Sequence, residues 1–217
     1  MVLIYPGSFD PVTAGHISVA RRAAKFAKII IAVLDNPDKK TLFTVRERIA
    51  FLREVFETET PDDFIATKTK TPDDFFATKT KTPADFFESE VETETPNDFF
   101  ATKTKTPADS FEIEAFGGLL ADYATKKNAD GILRGLRNAE DFTTENKYAA
   151  CNSAISQTFG KRVETIFLPS TPELSHVSSK IVKEIAAYVY KNNLDDSFIA
   201  EIVPPQVRAA LRNKFER

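Results

Sequence analysis

The chain has 217 residues, of which 42% are hydrophobic and 28% charged, values typical of a globular domain with room for an appendage. It contains no apolar run of the roughly 18 residues that a membrane helix needs, and its N-terminal sequence lacks the features of a signal peptide. A single cysteine excludes an internal disulfide and, with only two histidines, argues against a zinc site. We therefore expect a cytoplasmic protein without a membrane partner.

The net charge of −3 conceals a division along the chain. Residues 57–110 carry 6 Lys/Arg against 13 Asp/Glu, which leaves 23 Lys/Arg against 19 Asp/Glu for the rest. The mildly basic remainder suits small anionic ligands better than duplex nucleic acid, so we expect no nucleic-acid partner.

The order of apolar runs predicts an α/β fold. Strands are predicted at residues 2–5, 29–34, 111–116, 131–134 and 163–168, and helices at 13–27, 44–56, 118–127, 139–158, 178–190 and 204–215. Thr44 followed by Glu47 is the pattern of a capping box at the start of the second helix. The alternation of strands and helices indicates a doubly wound, five-stranded, parallel Rossmann-like sheet, for which the strand order 3-2-1-4-5 is expected.

Residues 60–105 interrupt this alternation with a repetitive segment. Units that begin with Thr-Pro, such as TPDDFFATKTK, recur with a period of 11 residues, and one unit has 13. We interpret the segment as an insertion into a domain formed by residues 1–59 and 106–217. An antiparallel β-meander that extends the edge strand is favoured because ATKTKT is a poor helix former and because Lys and Glu strands alternate. Short helices and disorder are the alternatives.

A phosphate-binding turn is predicted between the first strand and the first helix. Residues 5–16 read YPGSFDPVTAGH, which places Ser8 in the turn and His16 in the first turn of the helix. The N-terminus of a helix exposes N–H groups and a partial positive charge, which favour phosphate. A turn in which the histidine only caps the helix is the alternative.

Cationic side chains follow two other predicted strands. Lys39 lies in the loop after the second strand, and Arg134 and Arg137 lie where the fourth strand ends. Ligands of doubly wound sheets bind at the carboxyl ends of the strands, and guanidinium groups suit phosphates. A solvated loop lysine at Lys39, and two surface arginines at Arg134 and Arg137, are the alternatives. Ser178 and Ser179 open a later helix, whose N-terminus forms a second candidate anion site, although one serine could simply be an N-cap.

The string Thr13-Ala14-Gly15-His16 resembles the (T/H)xGH signature of a nucleotidyltransferase superfamily. Taken with Lys39, RGLR at residues 134–137 and SSKIVKE at residues 178–184, it resembles phosphopantetheine adenylyltransferase. The resemblance covers residues 2–56 and 111–215. It implies transfer of AMP from ATP to 4′-phosphopantetheine, which gives dephospho-coenzyme A and pyrophosphate.

The resemblance also implies residue roles, a cofactor and an assembly. By resemblance, the catalytic residues are His16, Lys39 and Arg134. ATP contacts are Ser8, Phe9, Asp10, His16, Arg137, Glu145, Ser178 and Ser179, and substrate contacts are Ser8, Lys39, Leu120, Arg134 and Asn152. The expected cofactor is Mg²⁺, with no metal-ligating side chain and no covalent enzyme intermediate. A cytoplasmic homohexamer is expected.

Two departures leave other functions open. Lys180 stands where the family usually has a third serine or threonine, and residues 60–105 have no counterpart in the pattern. The rivals are another nucleotidyltransferase, acting on nicotinamide mononucleotide or glycerol phosphate, and a non-catalytic scaffold or assembly protein that displays the repeats. We expect the insertion to be compatible with catalysis because it leaves from the amino ends of the strands, away from the ligand crevice.

Overall fold

The computed structural model of the protein describes residues 1–57 and 110–216. The predicted β-meander at residues 60–105, and both boundaries of the predicted insertion, lie outside these described residues. Within them, no helix is both long and apolar enough to span a bilayer.

Five parallel strands form one sheet with the order β3-β2-β1-β4-β5, as predicted. The strands are β1 (Val2–Gly7), β2 (Lys28–Leu34), β3 (Phe111–Phe116), β4 (Gly131–Leu136) and β5 (Glu164–Pro169). The helices are α1 (Ala14–Ala23), α2 (Val45–Glu57), α3 (Leu120–Lys126), α4 (Ala139–Thr158), α5 (Ser179–Lys191), α6 (Ser197–Ile202) and α7 (Pro205–Phe215). The fold is therefore the predicted doubly wound α/β sheet.

The two faces of the sheet bury different apolar clusters. One face packs the inward side chains of β1 and β2, such as Leu3 and Ile31, against α1, α2 and the C-terminal helices. The other face packs Ile4, Ile30 and Ile132 against α3. This arrangement follows from the right-handedness of crossover connections between parallel strands. Connections that run from β1 towards β3 therefore place their helices on one face of the sheet, and connections that run from β4 towards β5 place theirs on the other. The step reverses between β1 and β4, which opens a crevice at their carboxyl ends.

Two predicted helix boundaries are wrong. The first helix ends at Ala23 rather than at residue 27, because Lys28 must already pair with β1 and donates its N–H to the carbonyl of Met1 at 3.0 Å. The third predicted helix begins at Leu120 rather than at residue 118, because Gly118 has a φ of +81°. The capping box is confirmed: Glu47 Oε2 accepts from the Thr44 N–H at 2.7 Å, and Thr44 Oγ1 accepts from the Glu47 N–H at 3.3 Å.

A buried carboxylate joins the C-terminal helices. Asp196, which is 6% exposed, accepts hydrogen bonds from the Tyr190 hydroxyl and from the guanidinium groups of Arg208 and Arg212. Hydrogen bonding from Arg208, above all, lowers the Asp196 pKa to about 2. Helix α6, which begins just after Asp196, was not predicted because its six residues are too few for a periodic apolar pattern.

Candidate active site

The turn after β1 is built around one buried ring. Phe9 is 2% exposed and packs edge-on against Tyr5 and His16, with ring centroids 5.5 and 5.2 Å apart. A Cβ at Gly7 would lie 2.9 Å from Phe9 Cζ, so only glycine leaves room for the ring at this position. Phe9 itself has a φ of 47°, which bends the chain sharply between the strand and α1.

Asp10 ties this turn to two other segments. Its carboxylate accepts from the Leu42 and Phe43 N–H groups at 3.0 and 2.9 Å, and from Lys183 Nζ at 2.8 Å. Burial would raise the Asp10 pKa, but these donors and the Lys183 charge outweigh it and hold the pKa below its ordinary value. Asp10 therefore positions the Lys39 loop and α5 relative to the turn, and its carboxylate is already occupied.

His16 is held as a neutral donor. Its Nδ1 lies 3.1 Å from the Thr13 backbone nitrogen and 2.9 Å from Thr13 Oγ1, and the backbone N–H can only donate, so Nδ1 is the acceptor. Burial first, and then the charges of Arg137 and Arg134, lower the His16 pKa to about 4. The proton of the neutral ring consequently sits on Nε2, the nitrogen left for a ligand in the crevice.

Two arginines, Arg134 within β4 and Arg137 just after it, are oriented by acidic side chains of α4. Arg134 donates from Nε to Glu145 Oε2 at 2.7 Å and from Nη1 to the Pro6 carbonyl at 2.9 Å. Arg137 donates from Nε and Nη2 to Asp141 at 2.8 and 2.9 Å. Burial would raise the Asp141 pKa, but the Arg137 contacts dominate and lower it. These pairs fix the orientation of both guanidinium groups.

Two further elements close the crevice. Lys39 donates to Ser8 Oγ at 3.1 Å, which brings its ammonium group to the turn after β1. Ser178 caps α5 by accepting from the Ile181 N–H at 3.2 Å, and Ser179 Oγ donates to the Pro11 carbonyl at 2.8 Å. The α5 N-terminus is thus fixed against the same turn.

These residues enclose two adjoining cavities of about 540 and 330 Å³. Every predicted site residue lines one of them. The larger is lined by Ser8, Phe9, Asp10, His16, Lys39, Arg134, Arg137, Glu145, Ser178 and Ser179, and the smaller by Leu120 and Asn152. Ser8, Arg134 and Glu145 line both cavities, so one ligand group held there would reach into each.

The two cavities differ in chemistry. The larger also contains Lys180 and Lys183 and faces two helix N-termini, which makes it suited to a polyphosphate. The smaller lacks these lysines, and its lining mixes apolar side chains such as Leu34 and Phe116 with polar ones such as Tyr148 and Asn152. It suits an apolar chain that carries a few polar groups.

Comparison with known proteins assigns the family. The family model for cytidylyltransferase-like proteins matches residues 4–185. Phosphopantetheine adenylyltransferase of Caldanaerobacter subterraneus subsp. tengcongensis is 36% identical over 217 residues, which cover 100% of this chain and 98% of that protein. The chain belongs to the phosphopantetheine adenylyltransferase family. It is an adenylyltransferase enzyme, which confirms the prediction made from the resemblance of its four motifs taken together.

Two solved structures show a weak likeness to this adenylyltransferase. A lipopolysaccharide core biosynthesis protein from Thermoplasma volcanium is 13% identical with a TM-score of 0.42, covering 79% of this chain and 98% of that one. Plasmodium falciparum nicotinic acid mononucleotide adenylyltransferase is 16% identical with a TM-score of 0.43, covering 99% and 95%. The doubly wound fold of this chain is defined by its own strand order and strand register.

The sequence analysis did not identify Arg48, a buried residue that holds together the segments around the adenylyltransferase site. Arg48 is 2% exposed and donates to the carbonyls of Phe43, Ser8 and Leu34 at 3.1, 2.7 and 3.1 Å. The available signal was its position on α2, where it shares the buried stripe with Leu52 four residues later. A charged residue at an apolar position of a helix indicates a buried polar partner.

Proposed function

We propose that this adenylyltransferase transfers AMP from ATP to 4′-phosphopantetheine and so forms dephospho-coenzyme A and pyrophosphate. The observation that carries the proposal is the junction of the two cavities at Ser8 and Arg134. A triphosphate in the larger cavity and a pantetheine arm in the smaller would bring their reacting phosphates together at that junction. The relative from Caldanaerobacter, named for this reaction, supports the choice of substrates.

The chemistry is an in-line displacement at the α-phosphorus of ATP. A phosphate oxygen of 4′-phosphopantetheine forms a bond to that phosphorus while the bond to the bridging oxygen of the β-phosphate breaks, and pyrophosphate leaves with the electron pair. No protein nucleophile takes part, so catalysis consists of positioning and charge stabilisation.

Three side chains perform the central roles in this proposal. His16 donates its Nε2 proton as a hydrogen bond to an α-phosphate oxygen, and Lys39 supplies positive charge as the phosphorus becomes five-coordinate. Arg134 binds the attacking phosphate. One such donor contributes on the order of 3 kcal/mol to the transition state.

The remaining site residues hold the substrates. Ser8, the Ser178–Ser179 turn and Arg137 bind the phosphates of ATP, while Leu120 and Asn152 contact the pantetheine arm. Phe9 and Asp10 shape the turn, and Glu145 orients Arg134.

We further propose that Mg²⁺ enters bound to the phosphates of ATP. Asp10, Asp141 and Glu145 line the larger cavity, and each already accepts from a cationic side chain. The part of the chain that the structure describes holds no group of three or more His, Cys, Asp or Glu that could bind a metal. This donor set fits an ion that would be held mainly by phosphate and water and would supply charge neutralisation for the leaving pyrophosphate.

Pyrophosphate release from ATP and Mg²⁺, measured with and without 4′-phosphopantetheine, tests the function. We expect release that requires 4′-phosphopantetheine and falls about 10²- to 10³-fold in His16→Ala. His176→Ala is the matched control, because this exposed histidine lies outside the lining of both cavities. Faster release with nicotinamide mononucleotide or glycerol phosphate would transfer the assignment to a rival nucleotidyltransferase, and no release from the folded protein would support the scaffold alternative.

The assembly and the insertion are separate parts of the proposal. We propose a cytoplasmic homohexamer, which sedimentation analysis of the full chain would test. We also propose that residues 60–105 are compatible with catalysis, and a loss of more than about tenfold in kcat on their deletion would contradict this, since an insertion remote from the crevice should not position substrates.

A further inference from the structure

One buried hydroxyl in the smaller cavity has no partner. Thr165 Oγ1 is buried and makes no hydrogen bond within residues 1–57 and 110–216, a property that it shares there only with Arg22 Nε. Thr165 lines the smaller cavity together with Leu120 and Asn152. A hydroxyl group can both donate and accept a hydrogen bond, and neither capacity of Thr165 is used within the described residues. Because Oγ1 is shielded in its present rotamer, rotation about χ1 brings the hydroxyl to a ligand in the cavity that the side chain lines.

The strand register places Thr165 on the same face of the sheet as Arg134, which lines both cavities. Thr165 on β5 pairs with Ile132 on β4, and Phe167 pairs with Arg134 two residues later. Paired residues and residues two apart share one face of a sheet, so Thr165 and Arg134 project to the same side. Their backbones lie about 8 Å apart, which is the diagonal of two residues along a strand and one spacing between neighbouring strands. A ligand whose phosphate is bound at Arg134 can therefore reach Thr165 with the middle of a flexible chain.

An unpaired buried hydroxyl is costly, which argues that this one is kept for binding. Removing a hydroxyl from water without a compensating hydrogen bond is unfavourable, whereas valine has nearly the same shape and would carry no such penalty. The lining combines apolar side chains such as Leu34 and Phe116 with polar groups such as Tyr148 and Asn152. A chain with apolar segments separated by amide groups matches such a mixed lining, and Thr165 is the lining residue whose buried hydroxyl has no partner among the described residues.

We propose that Thr165 is a specificity-determining residue whose hydroxyl binds an amide group of the pantetheine arm. This inference rests on the function proposed above. It assigns to β5 a role in selecting a substrate with an amide-bearing arm, separate from the phosphate contacts at Ser8 and Arg134. Bonding to the ligand would satisfy a group that is unsatisfied in the free enzyme.

Calorimetric binding of 4′-phosphopantetheine to the full chain tests the proposal, with Thr165→Val and Thr165→Ser as the informative pair. Thr165→Val removes only the hydroxyl, and we expect a five- to tenfold higher Kd, within the range for loss of one hydrogen bond. Thr165→Ser keeps the hydroxyl and should bind within about twofold of wild type. Thr158→Val, at the exposed end of α4, is the control and should leave the Kd unchanged.

Kinetics and stability separate a binding role from a structural one. Thr165→Val should raise the KM for 4′-phosphopantetheine, leave the KM for ATP unchanged, and change kcat by less than about twofold, because the lost interaction is common to ground and transition states. Its Tm without ligand should equal or exceed that of wild type, because an unpaired buried hydroxyl has been removed.

The failures of the inference and of the function are distinguishable. Unchanged affinity in Thr165→Val, or an equal loss in both Thr165 variants, would overturn the role of the hydroxyl while wild-type turnover upheld the function. Wild-type protein that neither binds 4′-phosphopantetheine nor releases pyrophosphate with it would refute the proposed function and the inference together.

Discussion

Replacing Arg48 with methionine should lower stability and activity together. The guanidinium group of Arg48 holds three carbonyl groups from separate segments, those of Ser8 after β1, Leu34 at the end of β2 and Phe43 before α2. Methionine fills a similar volume without any donor, so the three carbonyls lose their shared partner. The segments that they belong to carry the turn after β1 and the two ends of the Lys39 loop.

The size of the effect follows from two opposing contributions. A hydrogen bond to a charged group is worth about 1.5–3 kcal/mol, so three bonds would suggest a large loss. Removing a buried charge recovers part of the cost of taking it out of water, which reduces the net value. We expect a loss of about 3 kcal/mol in the free energy of unfolding, equivalent to a Tm lower by about 6–12 °C for a domain of this size.

Urea unfolding and thermal melting measure the stability loss, and pyrophosphate release measures the activity. We expect kcat/KM to fall about tenfold at temperatures where the variant is folded, because the Ser8 turn is displaced. Arg46→Met, at an exposed position of the same helix, is the matched control and should change stability by less than about 0.5 kcal/mol. An Arg48→Met variant that unfolds at the same denaturant concentration as Arg46→Met would refute the reasoning.

Three further predictions concern titration and packing. The His16 pKa of about 4, against an ordinary 6.5, predicts that neutral His16 makes its full contribution to the free energy of unfolding above pH 6.5, and that this contribution is lost as pH falls towards 4. An NMR pKa near 6.5, assigned to this residue with His16→Gln, would contradict the prediction. The Asp196 pKa of about 2, against 3.8, predicts stability lost as pH falls from 3.8 towards 2, and Asp196→Asn should abolish that dependence in urea titrations by removing the ion pair with Arg208. Gly7→Ala should destabilise by about 1–3 kcal/mol because its methyl group would meet the Phe9 ring, and calorimetry showing no change in Tm would exclude that contact.

Most of the fold could be predicted because the patterns that specify its helices and strands involve residues close together in the sequence. The Thr44–Glu47 capping box needs only neighbouring residues, and it forms as expected. The β2 strand is a continuous apolar run, which is how a strand buried on both faces reads in any parallel sheet. Predictions failed where distant pairing decided the outcome, as at the end of α1, where the partner strand requires extended chain at Lys28.

The site divides in the same way. The sequence alone predicted which side chains line the two cavities, because loops at the carboxyl ends of parallel strands converge whatever their exact geometry, and the Thr13–His16 string resembles a known signature. Only the tertiary structure decided their states: the neutral His16 with its Nε2 proton, the occupied Asp10 carboxylate and the unpartnered Thr165 hydroxyl. Protonation and hydrogen-bond satisfaction depend on burial and on partners brought from distant parts of the chain, and these exist only after folding.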